Sequence, residues 1–211
     1  MFKNRLEAAQ KLSQAVKTKL VDRKKLDIVV ALPRGGVPMG QVLAQEIGVP
    51  LDIVVPRKIG APGHEEYAIG ALTEDGSQIF NETEKKNYSQ EAIEKKIKEE
   101  KKEAQRRLKL YRGQRESLDL SGKNVLLVDD GIATGLTMEA AIKSCKNKGA
   151  QEIIVAIPVS ARDSLEKVRK MVDEVVCLET PALFMAVGQW YSEFPQTLDK
   201  EVIEILRRGR E

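Results

Sequence analysis

The stretch that most constrains this chain is a short apolar run followed at once by two acids and a loop of small residues. Residues 125–128 are four consecutive apolar residues with a β-branched residue at each end, a pattern typical of a strand buried on both faces of a parallel sheet. Asp129 and Asp130 follow directly, then small and hydroxyl-bearing residues at 131–137, and then a segment of helical character at 138–146. We therefore expect strand, loop and helix in succession, with both carboxylates at the carboxyl end of the strand.

This arrangement predicts a site for a phosphorylated ligand. Backbone amides of a glycine-containing loop and of a helix N-terminus attract anions, and the hydroxyls of Thr134 and Thr137 can donate further hydrogen bonds. The acidic pair repels phosphate and suits sugar hydroxyls or a hydrated Mg²⁺ instead. The loop lacks the lysine of a Walker A sequence and the three glycines of a dinucleotide-binding fingerprint, so neither kind of nucleotide site is expected.

Composition favours one α/β domain, which we predict to span residues 1–211. A chain of 211 residues can bury a proper core, and its net charge of +3 gives no general case for nucleic-acid binding. One histidine and two cysteines cannot form a Cys/His metal cluster, and Cys145 and Cys177 are expected to be reduced thiols. We find no signal-peptide pattern and no apolar run long enough to span a membrane, and therefore expect a cytoplasmic protein with no membrane partner.

A second candidate phosphate loop follows the first predicted strand, at residues 27–32. It reads Pro33, Arg34, Gly35 and Gly36. Two glycines allow the backbone to approach a ligand closely, and a guanidinium group suits phosphate oxygens. An ordinary strand-to-helix turn could have the same residues, so the binding interpretation gains weight mainly from the motif at residues 125–137.

Two cations follow the second predicted strand. That strand covers residues 51–55, after a helix at 39–46, and it is followed by Arg57 and Lys58. Because ligands of open α/β sheets bind at the carboxyl ends of the strands, we expect these cations to face the same crevice. The alternative is a solvated pair of surface charges.

Residues 60–117 are predicted to be an insertion. Residues 60–70 are rich in turn-forming residues and should form a mobile loop, and a hairpin is expected around residues 74–76. One strand of that hairpin could extend the main sheet as an antiparallel edge. His64 and Glu66 are candidate acids or bases in the loop, although an exposed loop histidine is more often incidental.

The residue pattern in the last part of the insertion predicts a long helix at residues 89–112. A narrow apolar stripe runs among many charges of both signs, which favours a surface helix packed along one seam. A coiled-coil partner helix and a basic RNA-contacting helix are the alternatives. Arg112 and Arg115 could return toward the site.

Aromatic residues are concentrated after the last predicted strand, in a cap at residues 179–211. Phe184, Trp190, Tyr191 and Phe194 could stack on a planar ligand; cover of the core or a dimer contact is slightly favoured. The remaining predicted elements are helices at 2–20, 164–171 and 199–208 and strands at 151–157 and 173–178.

Residues 125–137 resemble the phosphoribosyl-pyrophosphate (PRPP) motif of type I phosphoribosyltransferases. In that family the two acids contact the ribose hydroxyls, and the following loop holds the 5-phosphate. Residues 33–36 look like the family's pyrophosphate loop, which often includes a non-proline cis peptide, and residues 60–70 take the place of its flexible loop. The resemblance covers residues 27–178.

The resemblance implies a three-layer α/β/α fold with a mostly parallel, doubly wound sheet. It also implies a glycosyltransferase of nucleotide metabolism that binds PRPP with Mg²⁺. Such an enzyme transfers the 5-phosphoribosyl group to a small nitrogenous base and releases diphosphate, or catalyses the reverse reaction. The implied catalytic residues are Asp129, Asp130, Arg34 and Lys58. The implied ribose and 5-phosphate contacts are Asp129, Asp130, Gly131, Ile132, Ala133, Thr134, Gly135, Leu136 and Thr137. The implied diphosphate contacts are Pro33, Arg34, Gly35, Gly36, Arg57 and Lys58, and Asp129 and Asp130 would hold Mg²⁺ through water.

Ala133 departs from one branch of the family. The 6-oxopurine enzymes have an acid at this position, so the sequence looks more like adenine phosphoribosyltransferase, and the acceptor stays open. A regulator of the same fold that senses PRPP and binds nucleic acid is the alternative, with the helix at residues 89–112 as its basic face. A generic sugar-phosphate-binding domain is a third possibility, against which the two phosphate loops argue. A homodimer is common in the family.

Overall fold

The protein is seen as a computed structural model that describes residues 1–20, 25–113 and 117–208. Within those ranges the chain forms eight strands and seven α-helices, and a 3₁₀ turn covers Val187–Trp190. In chain order they are α1 (Arg5–Lys19), β1 (Ile28–Ala31), α2 (Gly36–Ile47), β2 (Leu51–Ile53), β3 (Arg57–Ala61), β4 (His64–Leu72), β5 (Gln78–Phe80), α3 (Glu82–Lys85), α4 (Gln90–Arg112), β6 (Asn124–Val128), α5 (Leu136–Asn147), β7 (Glu152–Val159), α6 (Arg162–Arg169), β8 (Glu174–Glu179) and α7 (Asp199–Arg208).

The main sheet has five parallel strands in the order β2-β1-β6-β7-β8. β1 lies beside β6, with Ala31 opposite Val128 in the register. The order reverses between these two strands, so the turns that follow them start side by side at a topological switch point. The predicted doubly wound α/β fold is confirmed.

Both faces of the sheet are covered by helices, because successive side chains of each strand point to opposite faces. Val125 and Leu127 pack in a core with α5 and α6. Leu126 and Val128 pack in a second core with α1, α2, α4 and α7. All four side chains are fully buried, which explains the continuous apolar run in the sequence.

The insertion forms a separate antiparallel sheet in the order β3-β4-β5. This corrects two expectations: residues 60–70 are mostly paired strand rather than an irregular loop, and the hairpin does not extend the main sheet. Ile59, Ile69 and Leu72 are at most 1% exposed, and burial of these side chains favours a sheet despite the local glycines and proline. The predicted hairpin around residues 74–76 is confirmed, since it joins β4 to β5.

The long charged helix α4 is a packed surface helix, as the mixed charge pattern predicted. Its N-cap is Ser89, whose hydroxyl accepts a hydrogen bond from the Ala92 amide, and Gly113 follows its last residue at a φ of +61°. Ile93 and Ala104 are buried along its apolar seam. None of the helices in the described ranges is long and apolar enough to cross a membrane.

Candidate functional site

The two predicted phosphate loops meet at the carboxyl ends of β1 and β6. The Leu32 amide donates a hydrogen bond to the Val128 carbonyl at 3.0 Å. A Cβ atom on Gly35 would lie 2.6 Å from the Asp130 carboxyl carbon, and a Cβ on Gly36 would lie 3.1 Å from an oxygen of Asp129. Glycine is therefore needed at both positions because the acids pack directly against this turn. α2 begins at Gly36, three residues earlier than the sequence predicted.

Asp130 is held by an arginine from the other end of the chain. Nε and one terminal nitrogen of Arg5, on α1, lie 2.9 and 2.8 Å from the same carboxylate oxygen. The Arg5 and Asp130 side chains are 13% and 15% exposed. The Tyr191 hydroxyl also donates a hydrogen bond to the Asp130 carbonyl at 2.6 Å. Sequence reasoning missed Arg5, since nothing local distinguishes it from the other basic residues of an amphipathic helix.

The two acids differ in their electrostatic surroundings. Burial and the neighbouring Asp130 charge raise the pKa of Asp129 well above its usual value. Burial also raises the pKa of Asp130, but the Arg5 guanidinium opposes that shift. Asp129 accepts a hydrogen bond from the Asp130 amide at 2.9 Å. The pair therefore resists carrying two negative charges and would be stabilised by positive charge in the crevice.

The base of the 131–137 loop is pinned to the next strand and helix. The Ile132 amide donates to the Val159 carbonyl at 3.0 Å, and the Ile132 carbonyl accepts from the Ala161 amide at 2.9 Å. The Ser164 hydroxyl donates to the Ala133 carbonyl at 2.5 Å. These bonds fix the ends of the loop backbone and leave the Ala133 and Thr134 side chains exposed.

The loop ends at the N-terminus of α5. Gly135 has a φ of +87°, a left-handed conformation that favours glycine, and α5 begins at the next residue. Thr137 is half-buried in the first helical turn. Glu139 lies in the same turn, and burial raises the pKa of its carboxyl group. Free amides of the first turn and nearby hydroxyls give this end of the loop the character of an anion site.

Arg34, in the other loop, is also held by a residue from the end of the chain. The peptide bond between Pro33 and Arg34 is cis. A terminal nitrogen of Arg34 lies 3.4 Å from a carboxylate oxygen of Asp199, the first residue of α7. The same oxygen accepts a hydrogen bond from the Tyr111 hydroxyl, on α4, at 2.7 Å. The sequence indicated neither of these partners.

These contacts also shift two pKa values. The hydrogen bond from Tyr111, together with the Arg34 guanidinium, lowers the pKa of Asp199. Burial and the Asp199 carboxylate raise the pKa of Tyr111 to about 12. Asp199 is therefore a charged acceptor at neutral pH, and Tyr111 is a neutral donor.

Comparison with known proteins identifies the family. The family model described as "Phosphoribosyl transferase domain" matches residues 3–192. The chain belongs to the phosphoribosyl transferase family. A Mycobacterium tuberculosis protein named "Putative phosphoribosyl transferase" is 39% identical over 211 residues, covering 99% of this chain and 47% of that protein. The chain thus spans about half the length of that curated relative.

A solved structure and an archaeal enzyme extend the comparison. The crystal structure of TT1426 from Thermus thermophilus superposes with a TM-score of 0.82 at 34% identity, covering 99% of this chain and 98% of that one. The ribose-phosphate pyrophosphokinase of Pyrococcus furiosus is 41% identical over 66 residues, 30% of this chain and 24% of that enzyme. The first likeness extends over the whole fold, whereas the second is local.

Two cations that the family resemblance pointed to lie on β3 rather than in a loop. Nε of Arg57 lies 2.8 Å from a carboxylate oxygen of Glu100, on α4, so it holds the small sheet against that helix. Lys58 is exposed and forms no ion pair within the described ranges. A role for Arg57 at the diphosphate gains no support from these contacts, and the role of Lys58 stays a prediction.

Four other candidates lie outside the two phosphate loops in the sequence. Arg112 is buried, and its terminal nitrogen lies 2.8 Å from an oxygen of Asp52, on β2. It therefore fastens the end of α4 to the main sheet, and its return toward the site stays a prediction. Arg115 lies outside the described residues. His64 and Glu66 are exposed on β4 of the smaller sheet.

The aromatic cap mainly covers the core, the interpretation that the sequence slightly favoured. Tyr191 is 5% exposed, and its ring centroid lies 5.6 Å from that of Phe2 and 4.8 Å from that of Phe194. Trp190 is half-buried beside it. Cys145 and Cys177 are both free thiols, as predicted.

The acids suit a metal ion that arrives with a ligand. Within the described residues, no group of three or more His, Cys, Asp or Glu side chains is arranged to hold a metal ion. Mg²⁺ at phosphate sites is bound by one or two carboxylates together with the oxygens of the phosphates. Asp129 and Asp130 supply such carboxylates, and burial together with the neighbouring Asp130 charge raises the pKa of Asp129, so a cation there would be favourable. The residues therefore fit Mg²⁺ carried on a phosphorylated ligand better than a metal held by protein alone.

Proposed function

We propose that this chain is a phosphoribosyltransferase that binds PRPP with Mg²⁺. It would transfer the 5-phosphoribosyl group to a nitrogenous base, or catalyse the reverse reaction, and release diphosphate. The observation that carries the proposal is the packing of the Gly35–Gly36 turn directly on Asp129 and Asp130. One acid pair between two anion-binding loops suits a sugar that carries phosphate at both ends.

The 5-phosphate would bind at the loop of residues 131–137. The amides before and within the first turn of α5 point toward an anion, and the Thr134 and Thr137 hydroxyls can add donors. The pinned base of this loop would keep the donors in place before the ligand arrives, which reduces the entropy lost on binding.

The diphosphate would bind at residues 33–36, with Arg34 as its cation. A guanidinium group can donate two parallel hydrogen bonds to phosphate oxygens. Negative charge grows on the leaving diphosphate as the bond to the anomeric carbon breaks, and Arg34 and the loop amides would stabilise that charge. Mg²⁺, when bound with the ligand, supplies further stabilisation of the same charge.

The ribose would lie over the acid pair. Carboxylate oxygens accept hydrogen bonds from the ribose hydroxyls, and a negative pair favours the positive charge that develops on the sugar ring in the transition state. The local likeness to an enzyme named for ribose phosphate and pyrophosphate supports a site for these two groups together. Ala133 leaves no carboxylate for a 6-oxopurine at that position, which favours another base as acceptor.

The test is a calorimetric titration of PRPP with and without Mg²⁺, followed by a panel of nucleobases scored for diphosphate release. We expect Mg²⁺-dependent binding and release with one base. Asp129→Asn combined with Asp130→Asn should weaken PRPP binding by about a hundredfold, since hydrogen bonds to charged groups are worth about 1.5–3 kcal/mol each. Asp163→Asn, in the first turn of α6, is the matched control and should bind normally.

Each other outcome has a defined meaning. Absence of PRPP binding by the unaltered protein would overturn the proposal. Binding without release on any base would favour the PRPP-sensing regulator, which a steep salt dependence of nucleic-acid affinity would then support. Normal binding by the double variant would remove the ribose contact assigned to the acids.

A further inference from the structure

We propose that the two ends of the chain position the two halves of this site separately. Arg5, on α1, would hold the ribose acid Asp130, and Asp199, on α7, would hold the diphosphate cation Arg34. The inference rests on the proposed function, from which it takes the two halves of the ligand. Arg5 and Asp199 are positioning residues, because each acts through another side chain.

The Arg5 guanidinium is fixed by contacts in several directions. Two of its nitrogens lie within 2.9 Å of one Asp130 oxygen. Its other terminal nitrogen donates to the Pro195 carbonyl at 2.6 Å, and its central carbon lies 3.8 Å from the centroid of the Phe194 ring. A planar, multiply anchored group restricts the carboxylate far more than a flexible ammonium would. Because both nitrogens bind the same oxygen, Arg5 orients Asp130 while the second oxygen keeps its capacity to accept from a ligand.

Phe194 and Tyr191 connect this contact to the backbone of the acid. The two rings stack at 4.8 Å, and the Tyr191 hydroxyl donates to the Asp130 carbonyl. Asp130 is thus held at its side chain by the first helix and at its main chain by the cap. Removal of Arg5 would leave a mostly buried carboxylate without its counter-charge beside Asp129, which is costly and would favour another rotamer.

The contact between Asp199 and Arg34 is longer and more exposed than the contact between Arg5 and Asp130. Such a contact suits Arg34, which must also bind a ligand. Arg34 lies 3.4 Å from the carboxylate, and the two side chains are 25% and 41% exposed. Tyr111, at 2.7 Å, fixes the carboxylate itself. Asp199 can therefore orient the guanidinium while leaving most of its donors available to phosphate oxygens. The two contacts come from different elements and meet different sides of the ligand, so their effects should separate.

The experiment measures three ligands with the full chain: PRPP, ribose 5-phosphate and diphosphate, each with Mg²⁺. Arg5→Gln should weaken PRPP and ribose 5-phosphate binding about tenfold and leave diphosphate binding within about threefold. Asp199→Asn should weaken PRPP and diphosphate binding about fivefold and leave ribose 5-phosphate binding within about twofold. Arg5→Lys should recover part of the affinity lost in Arg5→Gln, because it keeps the charge but not the planar fork.

Two matched controls remove comparable charges elsewhere. Lys11→Gln breaks an exposed ion pair of α1 with Glu7, and Asp163→Asn removes an acid from the first turn of α6. Both should bind all three ligands as the unaltered protein does. Thermal unfolding of every variant would show whether a loss of binding follows from a loss of structure, and if Arg5→Gln does not fold, Arg5→Lys and Asp199→Asn still test the inference.

Results that would overturn this inference differ from results that would overturn the proposed function. If the unaltered protein binds none of the ligands, the proposed function itself is overturned. If it binds them and a positioning variant loses all three equally, that residue has only a structural role and the inference is wrong. Unchanged affinities in the Arg5 and Asp199 variants would also overturn it.

Discussion

At the scale of single residues, Gly35 is the position where a side chain is least tolerated. A methyl group there would meet the Asp130 carboxylate, and its carbon would lie 2.6 Å from the carboxyl carbon. We expect Gly35→Ala to displace Asp130 or the turn and to lower the free energy of unfolding by about 1–3 kcal/mol. PRPP binding should weaken at least about tenfold, measured by calorimetry alongside unfolding in urea.

Gly122→Ala separates this clash from the general cost of replacing a glycine. Gly122 has a φ of +69° and no neighbouring atom within 4 Å of a Cβ. Alanine there should cost about 1 kcal/mol through its left-handed conformation alone and should leave PRPP affinity unchanged. If Gly35→Ala binds PRPP as well as Gly122→Ala does, the close packing of turn and acid has no role in binding.

The same scale shows which parts of the site the sequence could predict. The acids and both loops were predictable because each loop motif is contiguous and follows a strand with a clear apolar pattern. Arg5 and Asp199 were not, because they reach the site from 125 and 165 positions away. A long-range ion pair leaves no periodic signal, since either partner alone looks like an ordinary charge on an amphipathic helix.

At the scale of elements, Asp75 links the small sheet to α5. It accepts hydrogen bonds from the Ser144 hydroxyl at 2.5 Å and the Ser77 amide at 2.8 Å, and it pairs with Lys148. Burial acts to raise the pKa of Asp75, but the hydrogen bonds from Lys148, Ser144 and Thr73 hold it well below its usual range.

We expect Asp75→Asn to lower the free energy of unfolding by about 1–3 kcal/mol at neutral pH, because Lys148 loses a partner in a mostly buried network. The pKa of Asp75 is lower in the folded state, so its contribution is complete above the unfolded pKa of about 3.9 and is lost as the pH falls below it. The difference between the unaltered protein and Asp75→Asn should therefore shrink on acidification. Urea unfolding of both proteins at neutral pH and at about pH 3 measures this difference in the free energy of unfolding.

Asp119→Asn is the control for this prediction. Asp119 also accepts hydrogen bonds from a nearby serine, at 2.6 and 3.0 Å, but both come from Ser121 in its own turn. Its replacement should change stability much less than that of Asp75. An equal effect of both variants would mean that local turn bonds, rather than the link to α5, account for the contribution of Asp75.

Elements differed in how well the sequence predicted them. The buried strands, α4 and α7 were predictable from apolar periodicity and caps. β3 and the first half of β4 were not, because their glycines and Pro62 indicate turns. Ile59 and Ile69 decide the outcome by burial against neighbouring helices, and local sequence does not reveal which helices those will be.

At the scale of the whole molecule, the two ends of the chain are joined beside the site. The Phe2 amide donates to the Trp190 carbonyl at 2.7 Å, and the Ser192 amide donates to the Phe2 carbonyl at 2.8 Å. Phe2 is 3% exposed and belongs to the same core as α1, α2 and the main sheet. The cap is thus part of the main core, and one domain over residues 1–211 stays a prediction.

This packing predicts that the cap unfolds together with the sheet. Trp190 is the only tryptophan in the chain, so its fluorescence reports on the cap, whereas far-ultraviolet circular dichroism reports on all helices and strands. In urea the two signals should change over the same concentration range with the same midpoint, as they do for a cooperative unit.

Phe2→Ala should move both midpoints down together, since it removes about 3–5 kcal/mol of core packing. Leu6→Ala, at a side chain 57% exposed, should move neither midpoint. A fluorescence midpoint at lower urea than the circular dichroism midpoint would mean that the cap opens by itself. In that case Tyr191 could not hold the Asp130 backbone throughout the folded range, Arg5 would lose its contacts with Pro195 and Phe194, and the prediction of a single domain would be wrong.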